Sequence, residues 1–100
     1  MNKINSHLEK LKSEQEMFLN YLRAKFPLFH KSNFFFRDLH YGIKSYFEKK
    51  GNELSYPLAE QIAQKYAQHL EEEKIFVKIN DKAWRVDFPE FVTTVPGDPL

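Results

Sequence analysis

Apolar residues recur along this chain at spacings that specify three helices and then a hairpin. Ile4, Leu8, Leu11, Phe18, Leu22 and Phe26 fall three, four or seven positions apart, which places them on one helical stripe. Gln15 lies on that stripe, and Met17 and Tyr21 widen it. Pro27 pushes Phe26 out of the α region, so the spacing predicts a first helix from about Ser6 to Lys25. A second stripe at Phe35/Phe36, Leu39, Ile43 and Tyr46/Phe47 predicts a second helix over about Phe34 to Lys50. Ser32 or Asn33 is placed to cap it, Lys49 and Lys50 suit the negative end of its dipole, and Gly51 stops it. Gly42 inside this helix costs about 1 kcal/mol relative to Ala, which implies close packing against the first or third helix.

The stretch from Tyr56 to Phe88 organises the rest. Ser55 caps a third helix with Pro57 in its first turn, where no donor is lost. Leu58, Ile62, Tyr66 and Leu70 form its main stripe, and Ala59, Ala63 and Ala67 make a flat second row that lets another helix approach closely. A single unbroken rod over Tyr56 to Leu70 is expected at the centre of the fold, with Glu60, Gln61, Gln64, Lys65 and Gln68 facing out. Asn80-Asp81 then reads as a two-residue turn that pairs Ile79 with Lys82, Val77 with Trp84 and Ile75 with Val86. In that register Ile75, Val77, Trp84 and Val86 cover the helices, and Phe76, Lys78, Ala83 and Arg85 share the other face. These elements make one domain over residues 1–89, mainly α with a C-terminal β-hairpin (α+β). Residues 90–100, with Pro96-Gly97-Asp98-Pro99, read as an extended or partly disordered arm, with Val92 and Val95 able to dock it to the body.

Three helices followed by a β-ribbon resemble the winged-helix superfamily. The resemblance is sharpest at His69-Leu70-Glu71-Glu72-Glu73-Lys74-Ile75-Phe76, where a leucine, acidic residues and a short turn lead into the apolar residues that open the wing. The similarity covers roughly Leu58 to Val86 and implies a winged-helix-like fold of three helices plus wing. Such domains often bind DNA through the third helix and the wing, and some, such as the DEP type, bind proteins. By position, the resemblance implies nucleic-acid contacts from Gln61, Gln64, Lys65 and Gln68 on the third helix and from Lys78, Lys82 and Arg85 on the wing. Glu53 and Glu60 flank the start of that helix, where phosphates favour Lys or Arg.

Composition narrows the chemistry. One hundred residues fit one domain able to build its own core, and ten Phe bring large buried area. The absence of cysteine excludes disulfides and thiolate sites and fits a reducing compartment, so a cytoplasmic protein is expected. Met1 to Glu16 has no apolar run, so neither a signal peptide nor a membrane span is expected there. A net charge of +1 provides no global field for a polyanion, but the charge is segregated. Residues 23–50 hold Arg23, Lys25, Lys31, Arg37, Lys44, Lys49 and Lys50 against Asp38 and Glu48, a local +5. Residues 51–73 hold Lys65 against Glu53, Glu60, Glu71, Glu72 and Glu73, a local −4.

No catalytic or cofactor motif is visible. His7, His30, His40 and His69 include no i, i+4 pair, although His40 and His69 would meet if the second and third helices brought them together. Glu71, Glu72 and Glu73 point about 100° apart on a helix and do not converge on one ion. The glycines are too scattered for a phosphate loop. The expectation is therefore no enzyme, no metal, no cofactor and no small-molecule substrate. What remains is a binding domain that meets another protein or itself, with Leu8, Leu11 and Phe76 as contacts. The alternative is a DNA- or RNA-binding regulator using Gln61, Gln64, Lys65, Lys78, Lys82 and Arg85. A second basic surface, with Arg37, His40, Tyr41, Lys44 and Ser45 on the open side of the second helix, interleaves cations and aromatics as nucleic-acid contacts do.

Overall fold

The N-terminal stripe folds as two helices rather than one, in a computed structural model that describes residues 3–90. α1 (Lys3–Ser13) and α2 (Gln15–Lys25) meet at Glu14, whose φ of −108° and ψ of 27° leave the helical region. The backbone ladder still crosses the bend, with Glu14 N–H on Lys10 O and Phe18 N–H on Glu14 O. Two features favour the bend. Ser13 Oγ donates to Lys10 O at 3.0 Å, a local bond that competes with regular helix. Glu14 and Gln15 also turn their side chains towards tyrosines of the next helices.

The second expected helix starts later than its stripe implied. Asn33–Phe35 forms strand β1, and α3 runs over Phe36–Lys49. The capping role expected of Ser32 or Asn33 does not arise, because Phe35 holds the N-cap position and Ser32 Oγ accepts Phe29 N–H instead. The strand is required by its neighbour. Val86 N–H donates to Ser32 O and Lys31 N–H to Val86 O, so β1 pairs backbone groups that β3 would otherwise leave at an edge. α3 ends as expected at Gly51, which has φ +80°. Asn52 N–H closes back on Phe47 O and Gly51 N–H on Glu48 O. Gly42 is also explained, since a Cβ there would collide with Leu22 Cδ2 of α2.

α4 (Tyr56–Glu72) is the unbroken rod the alanine row implied. Ser55 Oγ accepts Leu58 N–H at 3.2 Å, and Ala59, Ala63 and Ala67 are all buried. Its C-terminus repeats the closure of α3, with Ile75 N–H on Leu70 O and Lys74 N–H on Glu71 O. The left-handed residue here is Lys74 (φ +64°), not a glycine. A β-carbon in that conformation costs about 1–2 kcal/mol, partly offset because glycine loses more entropy on folding. Lys74→Gly is therefore expected to raise stability by about 0.5–1 kcal/mol, read as a higher urea midpoint at unchanged slope. A lower midpoint would contradict this description of the helix end.

The hairpin forms, in a register different from the one expected. β2 (Phe76–Asn80) pairs with β3 (Ala83–Val86) through Phe76↔Val86, Val77↔Arg85 and Lys78↔Trp84, with a bulge before Asn80↔Ala83. The expected pairs, Ile75 with Val86, Val77 with Trp84 and Ile79 with Lys82, are corrected accordingly. A one-residue slip exchanges the faces of a strand. Phe76 is now buried at 2 % exposure, stacked on Trp84 at 5.1 Å, while Val77 faces out. Burying Phe76 in place of Val77 removes more apolar area from water, which favours this slip. The bulge absorbs the extra residue, and Asn80 Oδ1 accepts Lys82 N–H at 2.8 Å to close the turn.

Among the described residues the chain is mainly helical, 60 %, with one antiparallel sheet in the order β1-β3-β2. No helix there is long and apolar enough to cross a membrane. The core joins α2, α3 and α4 to the inner face of the sheet through Phe18, Leu22, Ile43, Phe47, Ile62, Tyr66, Phe34 and Trp84. This core corrects two of the three contact residues assigned to a protein partner. Leu11 and Phe76 are buried within it, and Leu8 packs half-buried against it. The arm expected over residues 90–100 lies, apart from Glu90, outside the described residues.

Candidate functional site

The polar groups nearest the core serve to join elements. Tyr66 donates its hydroxyl to Gln15 Oε1 at 2.9 Å, and the same oxygen accepts His69 Nε2–H at 3.1 Å. Burial, with Tyr46 and Glu73 as smaller contributors, raises the Tyr66 phenol above its usual range. Tyr46 donates to Glu14 Oε1 at 2.6 Å, and burial followed by the Glu14 contact raises it likewise. Glu14 is held below the usual carboxylate range by the Tyr46 hydroxyl and then by Lys50, 3.2 Å away. Both phenols thus stay protonated near neutral pH, as donors rather than nucleophiles.

The histidines are dispersed. His40 is buried and gives Nε2–H to the carbonyl of Tyr56 at 3.2 Å. His69 lies thirteen residues beyond Tyr56 on the same rod, about 20 Å along its axis, so the conditional meeting with His40 does not occur. His30 Nδ1 accepts Phe88 N–H at 3.1 Å, and His7 lies beside Asn52 at 3.1 Å. Among the described residues no group of three His, Asp or Glu is placed to hold a metal ion.

Three surfaces remain as candidates. The first is a groove of about 230 Å³ between α4 and the hairpin. It brings together Gln64, Lys78 and Lys82, three of the six residues of the nucleic-acid alternative, and with them Gln68, which the winged-helix resemblance also implied. Glu60, Glu71 and Asp81 line the same groove, so carboxylates outnumber ammonium groups. Lys78 lies 3.6 Å from Asp81, and Glu71 Oε2 accepts Trp84 Nε1–H at 2.7 Å. Gln61 and Lys65 are exposed on α4 outside the groove, and Arg85 alternates to the opposite side of β3 from Trp84. The six residues therefore do not form one surface.

The second candidate is the outer face of the sheet, which sequence reasoning missed. Phe35 is 48 % exposed, Val77 38 % and Ile79 52 %. Asn33, Arg85 and Val77 stand in one cross-strand row, with Phe35 and Ala83 paired in the next. Ile79 is exposed at the bulge that follows Val77, where the alternation of faces is interrupted. The sequence offers no alternation there, since Asn33-Phe34-Phe35 is exposed, buried, exposed only once folded and its Phe pair fits the helical stripe that follows. The third candidate joins Arg37, His40, Tyr41 and Lys44 of α3 to Tyr56 of α4. Ser45, expected on that open face, turns instead to the hydroxyl of Tyr21 at 2.8 Å. No protein-family model, curated protein or solved structure matches this chain.

Proposed function

We propose that the chain is a non-enzymatic, winged-helix-like binding domain that engages another protein, or a second copy of itself, through the outer face of its sheet. The helices leading into a β-ribbon that packs on α4 support the winged-helix part of this reading. The single observation that carries the binding part is the exposure of Phe35 and Val77 on one sheet face, with Ile79 open at the adjoining bulge. Together they leave on the order of 200 Å² of apolar surface in water, worth about 5 kcal/mol gross when covered. Association costs about 4–15 kcal/mol, so these residues are the centre of an interface that also draws on its polar rim, Arg85 and Asn33. The cysteine-free composition fits a reducing compartment such as the cytoplasm.

One observation favours the alternative, a winged-helix DNA- or RNA-binding regulator gripping through α4 and the wing: Gln64, Lys78 and Lys82 share a groove. Glu60, Glu71 and Asp81 in that groove repel phosphate, so the protein-binding reading is the stronger. The test is the double variant Phe35→Glu/Ile79→Glu, compared with wild type by light scattering over a concentration series and by quantitative affinity capture. Wild type is expected to self-associate or to retain a discrete partner, and the variant to lose either at unchanged melting temperature. Equal association by both proteins would overturn the assignment. Salt-steep binding of duplex DNA, lost on Lys78→Gln/Lys82→Gln, would establish the alternative.

A further inference from the structure

The surface shared by α3 and the start of α4 has a chemistry of its own. Arg37, Tyr41 and Lys44 recur three and four positions apart and so share one face of α3. Tyr56, the first residue of α4, borders the same pocket, and His40 lies between the two helices. The pocket measures about 210 Å³. Sites that enclose a small molecule run from about 300 to 1,000 Å³, so this one can hold only part of its ligand.

Two tyrosine rings stand open beside it. Tyr41 is 59 % exposed and Tyr56 64 %, in a chain that buries Tyr46 and Tyr66. Each ring is braced by a neighbour. His40 lies against Tyr56 at 4.4 Å and is fixed by its bond to the Tyr56 carbonyl, and Phe26 meets Tyr41 edge-on at 6.4 Å. Among the described residues, neither Arg37 nor Lys44 has a carboxylate within ion-pair distance. Two cations with no ion pair among the described residues flank two exposed aromatic rings.

Ligands that satisfy both features carry flat π-faces and negative charge outside an enclosing cavity. Arg37 and Lys44 are seven residues apart, about 10 Å along the helix, a spacing that suits charges strung along a chain better than one phosphate group. A phosphotyrosine peptide offers one ring and one convergent dianion. A single strand offers successive bases and successive phosphates. We infer that the surface of Arg37, Tyr41, Lys44 and Tyr56 binds single-stranded nucleic acid, with bases stacked on the tyrosines and the backbone on the two cations. It uses none of the residues of the outer sheet face, so the two readings stand or fall separately.

The test is fluorescence anisotropy of the full chain with a labelled twenty-nucleotide oligothymidylate at 50 and 200 mM salt. Binding in the micromolar range is expected at the lower salt. Two neutralised phosphates give a slope of about −1.4 in log K against log salt, so the affinity falls about sevenfold between the two conditions. Tyr41→Ala and Tyr56→Ala each weaken binding by about fivefold or more, whereas Tyr41→Phe, which keeps the stacking face, leaves it intact. Arg37→Gln/Lys44→Gln flattens the salt slope, and Phe35→Glu/Ile79→Glu changes nothing. Both tyrosines are exposed, so their replacement leaves the fold in place, which circular dichroism checks. No binding at 50 mM salt, equal binding after both tyrosines are lost, equal affinity for a duplex of the same length, or preference for a phosphotyrosine peptide would each overturn the assignment.

Discussion

Trp84→Ala is expected to cost about 3–5 kcal/mol, a large share of the 5–15 kcal/mol that holds a domain of this size together. Trp84 is the middle of the sheet in two senses. It sits on the central strand, paired with Phe34 on one side and Lys78 on the other. Its ring is 3 % exposed, stacks on Phe76 at 5.1 Å and meets Phe36 at 6.3 Å. Its Nε1–H reaches across to Glu71 on α4 at 2.7 Å, tying the ribbon to the rod. Trp84→Phe separates the two contributions, because it keeps a ring in the stack and removes the bond to the carboxylate. That variant is expected to lose about 1.5–3 kcal/mol, the range for a hydrogen bond to a charged group. Chemical unfolding followed by circular dichroism reads both. A loss below 1 kcal/mol for Trp84→Ala would mean that the hairpin is not held against α4.

Phe18→Ala is the second large effect, again about 3–5 kcal/mol. Phe18 is fully buried on α2 just after the bend, with Tyr46 edge-on at 5.0 Å and Tyr66 at 5.6 Å. The same two tyrosines reach Glu14 and Gln15, the residues at the bend. Removing the ring opens a cavity under both hydroxyl bonds, so the N-terminal helices should loosen as a unit. Hydrogen exchange should therefore rise at the bend and across α1, beyond the global loss of stability. Phe18→Leu fills most of the space and should cost far less. Equal costs for Ala and Leu would show that Phe18 does not hold this junction.

Much of this fold was legible where a single residue type decides the local backbone. Ser55, Pro57 and the alanine row specified α4, and Gly51 specified the end of α3, because caps and left-handed positions admit few side chains. Gly42 indicated a close helix approach for the same reason, the collision a Cβ would make. The unread features depend on partners distant in the chain. β1 exists because β3 requires a neighbour, and Phe34-Phe35-Phe36 fits a helical stripe equally well until that pairing is known. The hairpin register turned on whether Phe76 or Val77 is buried, and the bulge near Ile79 has no local signature.

The candidate sites follow from those distant pairings. Leu11 and Phe76 looked available because the core that buries them was not yet assembled. Val77 joined Phe35 on the outer face only when the slipped register turned it outward, with Ile79 left open at the bulge. The register also sends Arg85 away from Lys78 and Lys82, while Gln61 and Lys65 lie outside the groove on α4. By contrast, Arg37, Tyr41 and Lys44 kept their common face, since helical periodicity alone sets it.

The proposed binding face exists only if Phe76 points in and Val77 and Ile79 point out. The chain contains no cysteine, so single thiols report on this directly. Phe76→Cys, Val77→Cys and Ile79→Cys are compared for reaction with an aromatic disulfide reagent under native conditions, each against its own rate in urea. Val77→Cys and Ile79→Cys should react nearly as fast folded as unfolded, with Phe76→Cys protected by orders of magnitude. A protected thiol at position 77 with a reactive one at position 76 would contradict the register and remove the sheet face with it.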